Sequence, residues 1–402
     1  MLQKPLSTQD LTDLYDTKEE YKKVKDSSST HKVINLNGRS LENLNKSSYL
    51  IYEFTKFNKN SKYCHLFNQP EDELNFYLNE CPVKNCKFTC DKYLFDKADA
   101  VLFNEYDLRQ SLTDGNKDEL PVNVQDRHNQ QIWALWNTDE SQLAPIEYDQ
   151  YKFNWTISYR QDSEVSDCSH GCMNGYKEYN HITEENVIKS HKKSIEAEFN
   201  RREDQLLFLV NEECHLLSPL NIAIDIDYNV YFKGKCKNSN SQSIPRLFYQ
   251  HLGKSQISCD YGSFCEKETL LESKFILIYQ SANCQDYVKN MFWRALDFGI
   301  IPIVTYPEKS YYEKFAPKNS FIHVEDFNFN SDNLGDFLKK ISDDFMLYLN
   351  YFKWKFYVST ISDKLSIEKR LMCEFCFKLN NEKSSIYYDS LLKWYNKDCK
   401  NK

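Results

Sequence analysis

The chain has 402 residues, of which 41% are hydrophobic and 15% aromatic, so it is long enough for two domains with ordinary cores. Its 51 Lys and Arg residues face 59 Asp and Glu residues, and the net charge of -8 argues against binding to nucleic acid or to an anionic membrane. The nine glycines include no G-x-G pair, which excludes the dinucleotide fingerprint and the Walker loop. A phosphate ligand would therefore have to be held by side chains.

The first part of the sequence predicts a flexible segment followed by an α/β domain. Residues 1–48 are charged and rich in Ser and Thr, which is typical of an arm or stem. Over 49–195, strand-like runs alternate with helical or loop segments, and these runs are "YLIYEF", "ADAVLFN", "QIWALWN" and "FNWTISY". Residues 166–200, which include the predicted boundary between the two domains, are polar and predict a connecting segment.

A second α/β domain is predicted over 196–365, followed by a C-terminal extension over 366–402 that contains a C-x-x-C pair. Its strand-like runs are "QLLFLV", "NVYFKG" and "SFIHVEDF", together with the unit "KFILIYQSANCQDYVKNMFWRALDFGIIPIV" at 274–304. That unit predicts a strand, a loop, a helix closed by Gly299 and a second strand. Such units usually place a ligand at the loop after the first strand.

The fourteen cysteines favour disulfides over metal binding. The C-x-x-C spacing occurs once, and neither a second such pair nor an H-x-x-x-H lies nearby to complete a zinc site. A cytosolic protein with zinc-bound cysteines is the competing hypothesis. The disulfide candidates are Cys81, Cys86, Cys90, Cys259, Cys265, Cys373 and Cys376.

Compartment signals in the sequence disagree. Two sequons, at Asn45 and Asn154, fit glycosylation in a secretory lumen. However, no apolar run approaches the roughly 18 residues that span a bilayer, and the first thirty residues carry no signal-peptide core. The sequence is therefore expected to be either a lumenal portion whose membrane anchor is not included or a cytosolic protein with reduced thiols.

Several motifs carry a family resemblance. "CKFTCDKYLFDKADAVLFN", "WNTDESQLAP" and "FNWTISYRQDSEV" occur in that order, and the longest block runs from Lys274 to Lys355. Over residues 75–376 the chain resembles the α1,3-fucosyltransferases of glycosyltransferase family 10, which are inverting enzymes. The resemblance implies two facing Rossmann-like α/β domains of the GT-B type, with the active site in the cleft between them.

The resemblance also implies an activity. The expected reaction is transfer of L-fucose from GDP-fucose to a hydroxyl of an N-acetylglucosamine-containing glycan on a glycoprotein or glycolipid. No cofactor or metal is expected to be obligatory, because side chains can neutralise the departing diphosphate. The expected partners are GDP-fucose and a glycan acceptor, with no nucleic acid. The expected location is the Golgi lumen, with membrane attachment only through an anchor that is not in this sequence.

The general base of the family is a glutamate in the loop that "WNTDESQLAP" resembles. Alignment on Asn137 and Pro145 makes Asp139 the candidate general base, with the adjacent Glu140 as the alternative. The aspartate is one methylene shorter, which moves the basic oxygen by about 1 Å.

The implied donor site departs strongly from the family pattern. Asn290 and Met291 replace a Glu-Lys pair, Gln280 replaces a glutamate, and the position of a phosphate-binding arginine falls at Leu217 or Ser218. Lys289, two positions before Met291, is expected to lie on the opposite helix face. The implied donor-binding positions are Tyr159, Asn211, Gln280, Ser281, Tyr287, Asn290 and Met291.

These losses predict weak donor binding, and they leave a second hypothesis: a catalytically impaired relative that acts as a glycan- or partner-binding module. Arg160 and Asp162, in the "YRQDSEV" segment, are predicted to form a local ion pair that fixes a turn.

Overall fold

The computed structural model of the protein describes most of the two predicted α/β regions and part of the C-terminal extension. The described residues are 47–55, 81, 83–114, 127, 130–137, 148–166, 168–176, 181–210, 225–234, 259, 261–280, 282–381, 387–397 and 399–401.

The first sheet has five parallel strands in the order β2-β1-β3-β4-β5. Their central residues are almost all buried, as expected when helices cover both faces of a parallel sheet. Alternate side chains enter two cores, so that Leu102 and Ala134 face one side and Phe103 and Trp133 the other. The strands are β1 Tyr49–Glu53, β2 Cys86–Thr89, β3 Ala100–Asn104, β4 Ile132–Trp136 and β5 Trp155–Ile157.

The second sheet repeats this plan, with parallel strands in the order β12-β11-β9-β7-β8. Numbered along the chain, both sheets have the doubly wound order 2-1-3-4-5, so each has a switch point, β1 with β3 in the first and β7 with β9 in the second. Ligands usually bind outside the carboxyl ends of the strands at such points. The strands are β7 Glu203–Val210, β8 Val230–Gly234, β9 Ser273–Ile278, β11 Ile301–Val304 and β12 Ile322–His323.

Four short strands form two antiparallel pairs outside the main sheets. One pair joins β6 Cys172–Tyr176 to β13 Val358–Ile361. The other joins β10 Ala282–Asn283 to β14 Lys400–Asn401. Because β14 comes from the end of the sequence, the second pair attaches the C-terminal segment to the loop that follows β9.

Helices cover both faces of each sheet, as the α/β prediction requires. Helices α4 and α6 are clearly amphipathic, and α6 begins at an Asn330 cap that accepts from the backbone N–H of Asn333. The helices are α1 Glu105–Asp114, α2 His181–Arg201, α3 Phe264–Glu272, α4 Asn290–Phe298, α5 Lys309–Tyr312, α6 Ser331–Asp343, α7 Phe345–Asn350, α8 Lys364–Asn381 and α9 Leu391–Tyr395.

The prediction of a connecting segment over 166–200 is wrong, because this stretch contains β6 and the 21-residue helix α2. Few of its side chains enter the core, among them Ile188, Ile195 and Phe199. Such a sparse apolar stripe does not stand out in a polar sequence, and the helix is stabilised by the sheet it packs on. The proposed domain boundary at 195/196 falls inside this helix.

The predicted extension over 366–402 is part of the first α/β unit in space. Helix α8 packs Leu371 and Phe375 against one face of the first sheet, and α9 packs Leu391 and Tyr395 against the other. The chain therefore leaves the second sheet and returns to complete the core of the first.

Every described cysteine lies in a disulfide. Cys373 and Cys376 of the C-x-x-C pair each join a cysteine near β2 instead of one another, and so tie α8 to the first sheet. Cys90 is also disulfide-bonded. The pairs are Cys81–Cys373, Cys86–Cys376, Cys168–Cys172, Cys259–Cys265 and Cys284–Cys399.

The structure describes one of the two glycosylation candidates, Asn154. Asn154 is buried, and its side-chain oxygen accepts from the backbone N–H of Trp133 at 2.9 Å. A side chain covered to this extent has little room for an attached glycan in the folded protein. Asn45 lies outside the described residues.

Candidate active site

The site forms where the carboxyl ends of β5 and β9 meet. Tyr159 lies two residues after β5, Tyr287 lies in the loop after β9, and their ring centroids are 5.0 Å apart in an edge-to-face arrangement. The backbone N–H of Gln161, two residues after Tyr159, donates at 3.0 Å to a carboxylate oxygen of Asp286, the residue before Tyr287. These two contacts join the first sheet to the switch-point loop of the second.

His170 completes an aromatic trio with Tyr159 and Tyr287. Its ring centroid lies 5.3 Å from that of Tyr159 and 5.1 Å from that of Tyr287, and the residue is buried. His170 was not among the site residues predicted from the sequence. The spacing of Cys168 and Cys172 could have indicated it, because a disulfide between these two residues forces a tight turn that fixes the position of His170.

Gly171 is required at that turn. Its φ is +118°, a conformation that residues with a side chain rarely adopt, and a Cβ there would collide with the side chain of Trp293. Close packing of this turn on α4 holds His170 against the second sheet.

Burial further disfavours the phenolate form of two tyrosines in this region. It raises the pKa of the Tyr159 phenol, with the nearby Arg160 guanidinium acting in the opposite direction, and it raises the pKa of Tyr395 well above the usual value. Tyr395 packs edge-to-face on Tyr159 with 5.7 Å between ring centroids. These tyrosines can therefore donate hydrogen bonds at neutral pH but cannot act as anionic bases.

Gln280 organises the loop between β9 and α4. It is 1% exposed, its side-chain nitrogen donates to the carbonyl of Tyr287 at 3.0 Å, and its side-chain oxygen accepts from the N–H of Lys289 at 3.0 Å. Its carboxamide is thus committed to the protein backbone.

Lys289 is placed differently from the sequence-based expectation. Helix α4 begins at Asn290, and Lys289 is its N-cap residue with an extended backbone, φ -53° and ψ 133°. Lys289 therefore precedes the helix, and the expectation that Lys289 and Met291 lie on opposite faces of one helix is wrong. The Lys289 ammonium donates to the carbonyl of Tyr279 at 3.2 Å, which places a cation at the carboxyl end of β9, beside the N-terminus of α4.

Asn290 and Met291 both face the protein. The Asn290 side-chain nitrogen donates to the carbonyl of His170 at 3.3 Å, while Met291 packs against the core between the second sheet and its helices. Neither supplies charge.

Arg160 and Asp162 form the predicted local ion pair, with two N···O distances of 2.9 Å. Arg160 is fully buried, and it also donates to the carbonyls of Tyr395 and Lys397 at 3.4 and 3.3 Å. Its role extends beyond a local turn, because it holds the segment that follows α9.

The remaining predicted site residues lie outside the described residues. The described residue nearest to the candidate bases in sequence is Asn137, which directly follows β4. Its N–H donates to the Ile157 carbonyl, and its own carbonyl accepts from the Tyr395 hydroxyl at 3.4 Å. The residues outside are Asp139, Glu140, Asn211, Leu217, Ser218 and Ser281.

The described part of the chain shows neither a metal site nor a membrane-spanning helix. It contains no group of three or more His, Cys, Asp or Glu side chains arranged to hold a metal ion. None of its helices combines the length and apolarity needed to cross a bilayer.

Two family models match the chain, "Fucosyltransferase, N-terminal" over residues 56–168 and "Glycosyltransferase family 10 (fucosyltransferase) C-term" over residues 221–394. The 4-galactosyl-N-acetylglucosaminide 3-alpha-L-fucosyltransferase FUT5 of Hylobates lar is 24% identical over 322 residues, which cover 78% of this chain and 73% of that protein. The human 3-galactosyl-N-acetylglucosaminide 4-alpha-L-fucosyltransferase FUT3 is 24% identical over 321 residues, covering 77% and 75%.

A crystal structure of an alpha1,3-fucosyltransferase aligns with a TM-score of 0.44 and 14% sequence identity, covering 86% of this chain and 94% of that one. The two family models lie in the same order as the two sheets and together span well over half of the sequence. The chain therefore belongs to glycosyltransferase family 10, the fucosyltransferases.

Proposed function

We propose that this protein transfers L-fucose from GDP-fucose to a hydroxyl of an N-acetylglucosamine-containing glycan, as an α1,3-fucosyltransferase. Family membership supports the reaction class, and the names of the relatives supply the acceptor class. The observation that carries the proposal for this chain is the position of Lys289, a cation at the N-terminus of α4 and at the switch point of the second sheet.

The donor diphosphate would bind at this N-terminus. The backbone N–H groups and dipole of a helix favour an anion there, and the Lys289 ammonium adds a full positive charge. Tyr159 and Tyr287, which lie beside the same loop, would line the cleft next to the donor. When the fucosyl bond breaks, charge grows on the departing diphosphate, and these groups would stabilise it.

Donor binding is expected to be weak. Met291 stands where the resemblance implies a lysine, and its side chain packs on the core. Because each charge-assisted hydrogen bond contributes roughly 1.5 to 3 kcal/mol, a site with fewer cations is expected to have a dissociation constant of about millimolar order.

The acceptor would approach from the first sheet. Asp139 is proposed as the general base that takes the proton from the acceptor hydroxyl, with Glu140 as the alternative. Both residues follow Asn137, which the Ile157 carbonyl holds at the carboxyl end of β4. Attack from the side opposite the diphosphate inverts the configuration at the fucose anomeric carbon, and no metal is required if Lys289 and the helix N-terminus supply the positive charge.

The Golgi lumen is the proposed location. Five cysteine pairs among the described residues suit an oxidising compartment, and three of them join positions more than a hundred residues apart.

Purified protein incubated with GDP-fucose and N-acetyllactosamine would test the proposal. We expect slow, acceptor-dependent release of GDP and a fucose linked to O3 of the N-acetylglucosamine, identified by NMR of the product. Calorimetric titration with GDP-fucose gives the second measurement. Donor binding without transfer would favour the impaired-relative hypothesis, and absence of binding up to about 10 mM donor would overturn the proposal.

A further inference from the structure

The segment Tyr387 to Asn401, called the strap and described over 387–397 and 399–401, connects the two sheets beside the candidate donor site. It starts on the first sheet, where the N–H of Tyr388 donates to the carbonyl of Phe153 at 3.0 Å and Leu391 and Tyr395 are each 1% exposed. It ends on the second sheet's loop, where β14 pairs with β10 and Cys399 is bonded to Cys284.

Arg160 fixes the middle of the strap. The guanidinium donates to the carbonyls of Tyr395 and Lys397, and its central carbon lies 4.8 Å from the centre of the Trp394 ring. Asp162 holds the other side of the guanidinium through two 2.9 Å contacts. A fully buried arginine at the end of β5 thus sets where the strap leaves the first sheet.

The strap reaches the loop three residues before Tyr287. Cys284 is fully buried, and its carbonyl and that of Tyr287 both accept from the Tyr311 hydroxyl at 2.8 Å. Tyr311 and Gln280 therefore hold the loop on its own sheet, whereas the disulfide and the β10–β14 pair hold it relative to the first sheet. With both attachments made, Tyr287 is fixed against Tyr159.

We propose that the strap is a positioning element for the donor site, and that Arg160 and Cys399 are positioning residues that set Tyr287 and the start of α4 against the first sheet. This inference rests on the proposed function for its effect on GDP-fucose. Its effect on the loop itself does not depend on the donor. A loop attached at one side only would sample orientations that do not fit the donor, so affinity would fall through lost preorganisation.

The test compares two double variants of the full chain. Cys284→Ser with Cys399→Ser removes the strap disulfide, whereas Cys86→Ser with Cys376→Ser, the control, removes one between α8 and the first sheet. Because Cys81–Cys373 remains closed in the control, opening Cys86–Cys376 frees only a short loop of the unfolded chain, and the control should lose less thermal stability than the strap variant. Both variants are therefore compared with the native protein at temperatures equally far below their own thermal midpoints, so that a general stability effect is matched.

We expect hydrogen exchange in the segment 282–289 to accelerate by about tenfold or more in the strap variant and to stay unchanged in the control. GDP-fucose affinity should fall by about fivefold or more in the strap variant alone. Trp394→Leu, which removes the ring over Arg160 and leaves the described disulfides intact, should shift both measurements in the same direction by a smaller amount.

Equal exchange in the strap variant and the native protein would overturn the positioning role, whatever happens to donor binding. Faster exchange with unchanged donor affinity would also overturn it, because the attachment of the loop would then make no difference to donor binding. If the native protein binds no GDP-fucose, the proposed function fails, and the exchange measurement alone decides whether the strap positions the loop.

Discussion

The Gln280 side chain bridges the backbones of Tyr287 and Lys289, donating to the Tyr287 carbonyl and accepting from the Lys289 N–H, both at 3.0 Å. An amide makes both contacts at neutral pH, whereas an ionised carboxylate accepts hydrogen bonds but donates none. The resemblance to the family implies a glutamate at this position. The glutamine therefore suits this loop better than an ionised glutamate would. Its buried amide holds the backbone of the loop in place through these two hydrogen bonds.

Gln280→Glu is expected to destabilise the protein. The carboxylate would face the Tyr287 carbonyl without a proton to donate, at a cost of about 1 to 3 kcal/mol for an unsatisfied buried group. Urea unfolding at pH 7 would measure the loss, which should shrink near pH 4, where the new carboxyl regains a proton. Gln285→Glu, at an exposed position of the same loop, is the control and should change stability by no more than about 0.5 kcal/mol. Equal stability of the two variants would contradict the bridging role.

Lys289→Met should weaken GDP-fucose binding. Removing one charge-assisted contact to the diphosphate is expected to lower affinity by about tenfold or more, while the thermal midpoint changes little. Titration calorimetry with GDP-fucose and with GDP gives the comparison. Lys340→Met, at an exposed position of α6, is the control and should bind the donor like the native protein. If both variants bind equally well, the diphosphate does not contact Lys289, and Lys233 and Lys235 become the candidates.

Asp139→Asn should abolish transfer and leave donor affinity and the folded state unchanged. The amide cannot take the acceptor proton, so the loss should appear in kcat and not in the dissociation constant for GDP-fucose. Glu140→Gln serves as the matched variant and is expected to retain turnover. The reverse outcome would assign the base to Glu140.

The cysteines should be mostly oxidised in protein secreted from a eukaryotic host. Because each described cysteine lies in a disulfide, a thiol reagent added to the unfolded, unreduced protein should label few of the fourteen. Labelling of most of them would contradict the lumenal location.

The α/β class followed from the sequence because each strand is a short apolar run between turn residues, and the family resemblance implied the two Rossmann-like domains. Helix α2 was missed because its few core contacts leave no strong helical period. The path of the strap was also missed, since residues such as Cys284 and Cys399 lie 115 positions apart and nothing local pairs them. The same limit applies to Lys289, whose side-chain position depends on where α4 begins.

Restoring the charges that the donor site lacks should strengthen GDP binding. Asn290→Glu with Met291→Lys recreates the Glu-Lys pair implied by the resemblance, and it should tighten GDP binding by about tenfold or more once Ser218→Arg is added.

The substitutions that strengthen GDP binding should also lower the stability of the protein. Asn290 loses its contact to the His170 carbonyl, and a lysine replaces a methionine that packs on the core, so stability should fall by about 1 to 3 kcal/mol. Asn333→Glu with Leu347→Lys places the same pair of charges on exposed positions of α6 and α7, and it should leave GDP affinity unchanged. If the restored pair, with Ser218→Arg, binds GDP no better than this control, the diphosphate is held away from the N-terminus of α4. Lys289 would then be a structural residue, since its ammonium would serve only the Tyr279 carbonyl at the end of β9.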